Sequence, residues 1–254
     1  MSRYFLELSY KGTAYSGFQV QDNAPTIQSE VEKALQTLFR QTFELTGSSR
    51  TDSGVHAHQN FFHFDTEQVL NAKNVYNLNA LLPQDISVKG IYPVPETAHC
   101  RFDAVAREYK YFIYNRKNPF MNDRGWLFPY PLDIELLQEG ARILMGYSDF
   151  TSFSKRNTQV KTFLCRIEAS DWFQEEGLLI YKVRANRFLR GMVRGLVGTM
   201  LKVGRQQITI EEFKQVIEAK DSSQADFSTP PQGLFLNRVY YNDTLKTLLG
   251  SHEL

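Results

Sequence analysis

The sequence predicts an α+β fold of two halves with the same element order, β-α-β-β-α-β. Together the halves form one extended, mixed and mainly antiparallel sheet, with helices on one face and a central cleft. Three observations predict this. Alternating segments and segments of 3.6-residue period follow one another in that order twice. Apolar residues make up 42% of the 254 residues, enough to fill a core. Aromatics reach 13%, with 19 Phe and 13 Tyr, which suits strands, base-stacking surfaces or both.

In the first half, residues 1–104, the segment 4–10 alternates as a strand. Gly12, Gly17 and Asp22-Asn23 then signal a loop. Residues 26–39 read as a helix with Thr26 as N-cap and Ile27, Val31, Ala34, Leu35 and Leu38 as its apolar stripe. A short strand over 42–46 leads into the loop 47–54, and a second strand follows over 59–64. A weaker helix over 69–81 is ended by Pro83, and a strand over 86–92 closes the half.

The second half, residues 105–254, starts with a strand over 107–115 and a helix over 133–145. Strands over 162–173 and 178–185 are joined by the turn 174–177. Helices follow over 187–203 and 210–219, and a last strand spans 234–241. The halves share no motif, so the duplication is one of structure and not a sequence repeat.

Net charge is +1, which does not announce a nucleic-acid binder. The distribution says more. Lys182, Arg184, Arg187, Arg190, Arg194, Lys202 and Arg205 fall in a stretch without an acid, as do Lys155, Arg156, Lys161 and Arg166. Each run is either a solvated face or a surface for phosphates. Cys100 and Cys165 have no metal-ligand spacing and suggest no disulfide framework. No segment has the length of a membrane span and the first residues carry no apolar leader, so the expected compartment is the cytoplasm.

The densest group of reactive side chains is the loop that runs from Gly47 to His58. Small residues around Arg50-Thr51-Asp52 permit a tight turn and close approach of a ligand. Two readings of Asp52 stand: a carboxylate that caps the turn through its own backbone, or an ionised nucleophile or base held by a nearby guanidinium. His56 and His58 are two apart in a strand and raise a metal-dependent hydrolase, but no further ligand cluster completes the set. A Ser-His-Asp hydrolase lacks its Gly-x-Ser-x-Gly elbow. A non-catalytic RNA-binding protein on two such units is the remaining alternative.

Arg50-Thr51-Asp52-Ser53-Gly54-Val55-His56-Ala57 resembles the active-site signature of the TruA family of tRNA pseudouridine synthases. Further blocks resemble the family in the same order: Tyr10-Lys11-Gly12-Thr13-Ala14-Tyr15-Ser16-Gly17-Phe18-Gln19, Leu78-Asn79-Ala80-Leu81-Leu82-Pro83, Arg101-Phe102-Asp103-Ala104, Arg107-Glu108-Tyr109-Lys110-Tyr111, Met192-Val193-Arg194-Gly195 and Pro230-Pro231-Gln232-Gly233-Leu234-Phe235-Leu236. The resemblance implies the pseudouridine synthase fold, with the catalytic loop in the first half and the base-stacking and RNA-holding residues in the second. It implies Asp52 as catalytic aspartate, Arg50 as the arginine that helps flip the base, Tyr109 as the residue stacked on the uracil, and Arg194 as the partner of the carboxylate. Leu234 or Leu236 would lie against the base. Read from position alone, Tyr109 is a packing residue and Arg194 a solvated or phosphate-facing charge. Ser49 and Ser53 stand where the family more often has Gly and Ala, which leaves the backbone path of the loop open.

The implied activity is the isomerisation of uridine at positions 38, 39 and 40 in the anticodon stem-loop of tRNA. The reaction has no net redox change, so no cofactor and no metal is expected. The basic stretches, with Arg187 and Arg190 among them, would hold the tRNA backbone. A homodimer is expected, because one subunit of net charge +1 offers little basic surface for a whole tRNA.

Overall fold

The computed structural model describes residues 1–156 and 160–250. The chain forms two compact units, Met1–Val105 with Leu236–Leu254, and Ala106–Phe235. This differs from a single cut into 1–104 and 105–254, because the C-terminal segment belongs with the first unit. The architecture is α+β.

The first unit begins with β1 (Ser2–Tyr10), α1 (Ile27–Phe39), β2 (Thr46–Gly47), β3 (His56–Thr66), α2 (Ala72–Leu81) and β4 (Ile86–Val94). β1 lies between β3 and β4, antiparallel to both, and β2 pairs antiparallel with β3. The order β4-β1-β3-β2 is the split-βαβ arrangement. α1 starts where Thr26 accepts from the Ser29 N–H and Ser29 accepts in turn from the Thr26 N–H. It buries Ile27, Val31, Ala34 and Leu35, and stops at Arg40, which adopts a left-handed conformation with φ 58°.

β2 is much shorter than the strand expected over 42–46. Phe43 and Leu45 are buried, but Phe43 packs in a coil segment against the rings of Phe39 and Phe64. Their alternation therefore reflects packing and not a hydrogen-bonded ladder. α2 starts three residues later than expected, because Asn71 caps it through the Lys73 N–H and Val69 is exposed.

The second unit contains most of β5 (Ala104–Tyr114), then β6 (Trp126–Leu127), α3 (Ile134–Leu144), β7 (Ile167–Glu175), β8 (Leu178–Ala185), α4 (Met192–Gly204), α5 (Ile210–Glu218) and the start of β9 (Leu234–Tyr241). β8 lies antiparallel between β5 and β7, while β6 runs parallel to β5. α3 is capped by Asp133 and packs on α4 and β7. α4 begins at Met192 and not at 187, because Gly191 takes φ 76°, a left-handed conformation that interrupts a helix. Residues 162–166, expected as the start of a strand, are not in β7; Leu164 makes only an isolated bridge to Asp149. The last residues of β9 return to the first unit, where β9 lies beside β3. α6 (Asp243–Gly250) follows there and was not signalled by the sequence pattern.

Candidate active site

The loop between β2 and β3 has a backbone held from several sides within the first unit. The Phe18 N–H donates to the Thr51 carbonyl at 3.1 Å, and the Gly54 N–H and Ser53 hydroxyl donate to the Tyr15 carbonyl. The Asn60 side-chain amide donates to the Ser49 carbonyl at 2.8 Å. The Tyr10 and Thr51 hydroxyls are bonded at 2.8 Å. Gly12 lies so close that a Cβ there would sit 2.0 Å from the Val55 carbonyl oxygen. Its N–H donates to His56 Nδ1 at 3.0 Å. Tyr15 is tied in turn to Asp85, whose carboxylate accepts from the Tyr15 hydroxyl at 2.5 Å. Burial and that carboxylate raise the Tyr15 hydroxyl above the ordinary phenol range.

Thus the residues 10–18 clamp the catalytic-loop candidate. The sequence placed these residues in a block of their own but gave no sign of what they touch. A register slip of one residue between Leu8↔Asn60 and Tyr10↔Ala57 bends β3 where the loop enters it, as β-bulges do beside functional sites.

Asp52 is half-buried and Arg50 exposed. Among the described residues, neither side chain makes a hydrogen bond or an ion pair. The turn-capping reading of Asp52 is therefore not what the loop shows: the turn is closed by backbone, the Val55 N–H donating to the Asp52 carbonyl at 3.2 Å. Nor does Arg50 supply the neighbouring guanidinium expected to hold the carboxylate. Ser53 uses its hydroxyl to fix the loop, which alanine could not do. The Ser49 hydroxyl is buried without a partner among the described residues.

His56 and His58 do not converge. His56 is buried and turned to Gly12, while His58 is exposed and bonded to Asn237 Oδ1. The slip in β3 breaks the two-residue alternation that would have paired them. His63 sits with Cys100, Nδ1 to Sγ at 3.2 Å, and both are buried. The imidazole is pushed down to about 4 by burial and then by the charges of His99 and Arg3. Cys165 is also buried, its thiol pushed up to about 11.

In the second unit, Tyr109 is 9% exposed, opposite Val183 in the sheet and edge-on to the Phe188 ring at 5.0 Å. Arg194 donates through Nε to the Thr229 carbonyl at 2.6 Å. Leu234, in the same unit, is 7% exposed; Leu236, in the first, is fully buried. The basic stretch is partly neutralised by acids from elsewhere in the chain: Arg184 pairs with Glu168 and Lys202 with Asp226. Lys182 lies over the Phe173 ring, and Arg205 stacks on Tyr130 at 4.1 Å. The side chains of Arg187 and the exposed Arg190 make no hydrogen bond or ion pair among the described residues. In the other stretch, Arg156 pairs with Asp221 and Arg166 with Glu168.

The profile of a family described as tRNA pseudouridine synthase matches residues 8–103 and 141–242. The chain belongs to the tRNA pseudouridine synthase family. The matched segments hold the whole Asp52 loop, its clamp, Arg194 and Leu234; Tyr109 falls between them. Curated relatives of the same kind cover nearly the full chain. A tRNA pseudouridine synthase A of Parabacteroides distasonis is 45% identical over 96% of this chain and 98% of its own length. Those of Bacteroides thetaiotaomicron and Bacillus subtilis are 46% and 39% identical, over 96% and 93% of this chain and 93% and 98% of their own lengths.

Proposed function

We propose that this protein isomerises uridine at positions 38, 39 and 40 in the anticodon stem-loop of tRNA, with Asp52 as its nucleophile. Membership of the family makes it an isomerase of tRNA uridine. The observation that carries the finer reading is the Asp52 carboxylate itself. It is half-buried, lacks a hydrogen-bonding or ionic partner among the described residues, and stands on a loop whose backbone is fixed by bonds from 10–18 and Asn60. A loop built so firmly around an unengaged carboxylate fits a reacting group and not a structural one.

The reaction breaks the N1–C1′ bond, turns the uracil, and joins C5 to C1′. N1 gains the proton that C5 gives up, so atoms and electrons balance without a redox partner, cofactor or metal. Asp52 acts as nucleophile or base in this exchange. The target base must leave its stack, at a cost of a few kcal/mol. Arg50, exposed and without an ion pair among the described residues, is suited to fill the space left behind. Tyr109 is assigned to stack on the extruded uracil, an interaction of roughly 1–3 kcal/mol for base–aromatic pairs. Arg194 is assigned to the carboxylate and Leu234 or Leu236 to the base, on the resemblance. Arg187 and Arg190 face the RNA backbone in this reading, which is supported by side chains without a hydrogen bond or ion pair among the described residues.

We assign the working form to a cytoplasmic homodimer that shares one tRNA. Among the described residues no helix is long and apolar enough to cross a membrane. Incubation with unmodified tRNA, followed by mapping of pseudouridine, tests the activity: modification at 38–40 is expected, and its absence overturns the reading.

A further inference from the structure

Among the described residues the Asp52 side chain makes no hydrogen bond or ion pair, so the backbone of 49–52 sets where the carboxylate stands. Most of the bonds to that backbone come from other backbone groups. Two side chains outside the loop bond it as well, Asn60 at the Ser49 carbonyl and Tyr10 at the Thr51 hydroxyl. Asn60, 0% exposed on β3, donates from Nδ2 to the Ser49 carbonyl at 2.8 Å and to the Tyr10 hydroxyl at 3.2 Å, while its Oδ1 accepts from the Phe61 N–H at 2.9 Å. Both N–H groups of this amide and its oxygen are thereby engaged. Tyr10, at the end of β1 and 5% exposed, bonds Thr51 Oγ1 at 2.8 Å. The chain of bonds runs Ser49–Asn60–Tyr10–Thr51, brackets Arg50 from both sides and ends one residue before Asp52.

We propose that Tyr10 and Asn60 are positioning residues for the reacting carboxylate. The inference rests on the reading of Asp52 as nucleophile and extends it to two residues that never meet the substrate. Three physical points support it. The bracket is buried, where a satisfied polar network favours one geometry over its neighbours. It lies beside the register slip of β3, so the sheet alone leaves the loop's entry angle less constrained there. And a reacting group must be held within about half an ångström of its productive position, a task that falls to the residues behind it. The ring of Tyr10 packs on Phe18 whether or not the hydroxyl is present, so the hydroxyl can be removed with the core left in place.

Steady-state kinetics of Tyr10→Phe, Thr51→Val, their double variant and Thr51→Ser test the proposal, with Asp52→Asn measured alongside. A shift of the order of an ångström lowers turnover by roughly ten- to hundredfold. Tyr10→Phe and Thr51→Val are each expected to lower kcat by about that amount while KM for tRNA stays within about twofold. The double variant should be no slower than the slower single, because both remove the same bond. Thr51→Ser, which keeps the hydroxyl, should recover most of the loss. Wild-type kcat in Tyr10→Phe, a loss confined to KM, or Thr51→Ser as slow as Thr51→Val overturns the proposal. Full turnover in Asp52→Asn instead overturns the reading of Asp52, whatever the other variants do.

Discussion

Single residues in this protein are defined by what they touch more than by their type. His63 shows this. It is a histidine in a strand, two positions from an exposed aspartate, yet it is buried against Cys100 and accepts from the Cys100 N–H. Burial, then His99 and Arg3, hold its imidazole neutral down to about pH 4. In the unfolded chain the same group takes a proton near 6.5. Folding is therefore helped by neutral His63 above about pH 6.5, and this help is lost as the pH falls from there towards 4. The loss is on the order of 3 kcal/mol. Urea unfolding between pH 7.5 and 4 should show it, and His63→Asn, which has no proton to take up, should flatten that part of the curve. An unchanged pH dependence in the variant would show that other groups carry the effect.

At the scale of elements, the turn of residues 12–14 and the loop of residues 47–54 behave as one piece. The nearest atom to a Cβ on Gly12 belongs to the Val55 backbone, which cannot swing aside as a side chain can. Gly12→Ala is expected to cost about 1–3 kcal/mol of stability, as overpacking does, and to reduce turnover by displacing the loop; denaturant midpoint and kcat measured together check both. Contacts of this kind explain what was and was not legible beforehand. α1, α3 and α5 were readable because Thr26, Asp133 and Thr209 cap amphipathic segments, all of it local information. β9 was readable in full from its alternation. The stretch 42–46 and the start of β7 misled, because buried side chains in coil alternate as strands do. The candidate loop stands out by composition, but the Tyr10 and Asn60 bonds that hold it span 41 and 11 residues. No local pattern encodes a partner that far away.

Across the whole molecule, near-neutral net charge and RNA substrate are reconciled by which charges are left unpaired. Glu168, Asp221 and Asp226 neutralise several cations of the two basic stretches, while Arg187 and Arg190 are among those whose side chains have no ion pair among the described residues. Binding of tRNA should therefore be strongly salt dependent, weakening by at least about tenfold between 50 and 200 mM salt. Arg190→Ala should lower the slope of log affinity against log salt by about 1. Binding titrations over that range provide the check, and a flat salt response would remove these residues from the RNA-facing surface.

If Asp52 performs the isomerisation, Asp52→Asn must stop it, because the substitution keeps the size of the side chain and removes its charge. Pseudouridine mapped at positions 38–40 after incubation with unmodified tRNA, together with tRNA affinity, should show turnover abolished and binding within about twofold of wild type. Substantial pseudouridine formation by Asp52→Asn would show that the Asp52 carboxylate is not the reacting group.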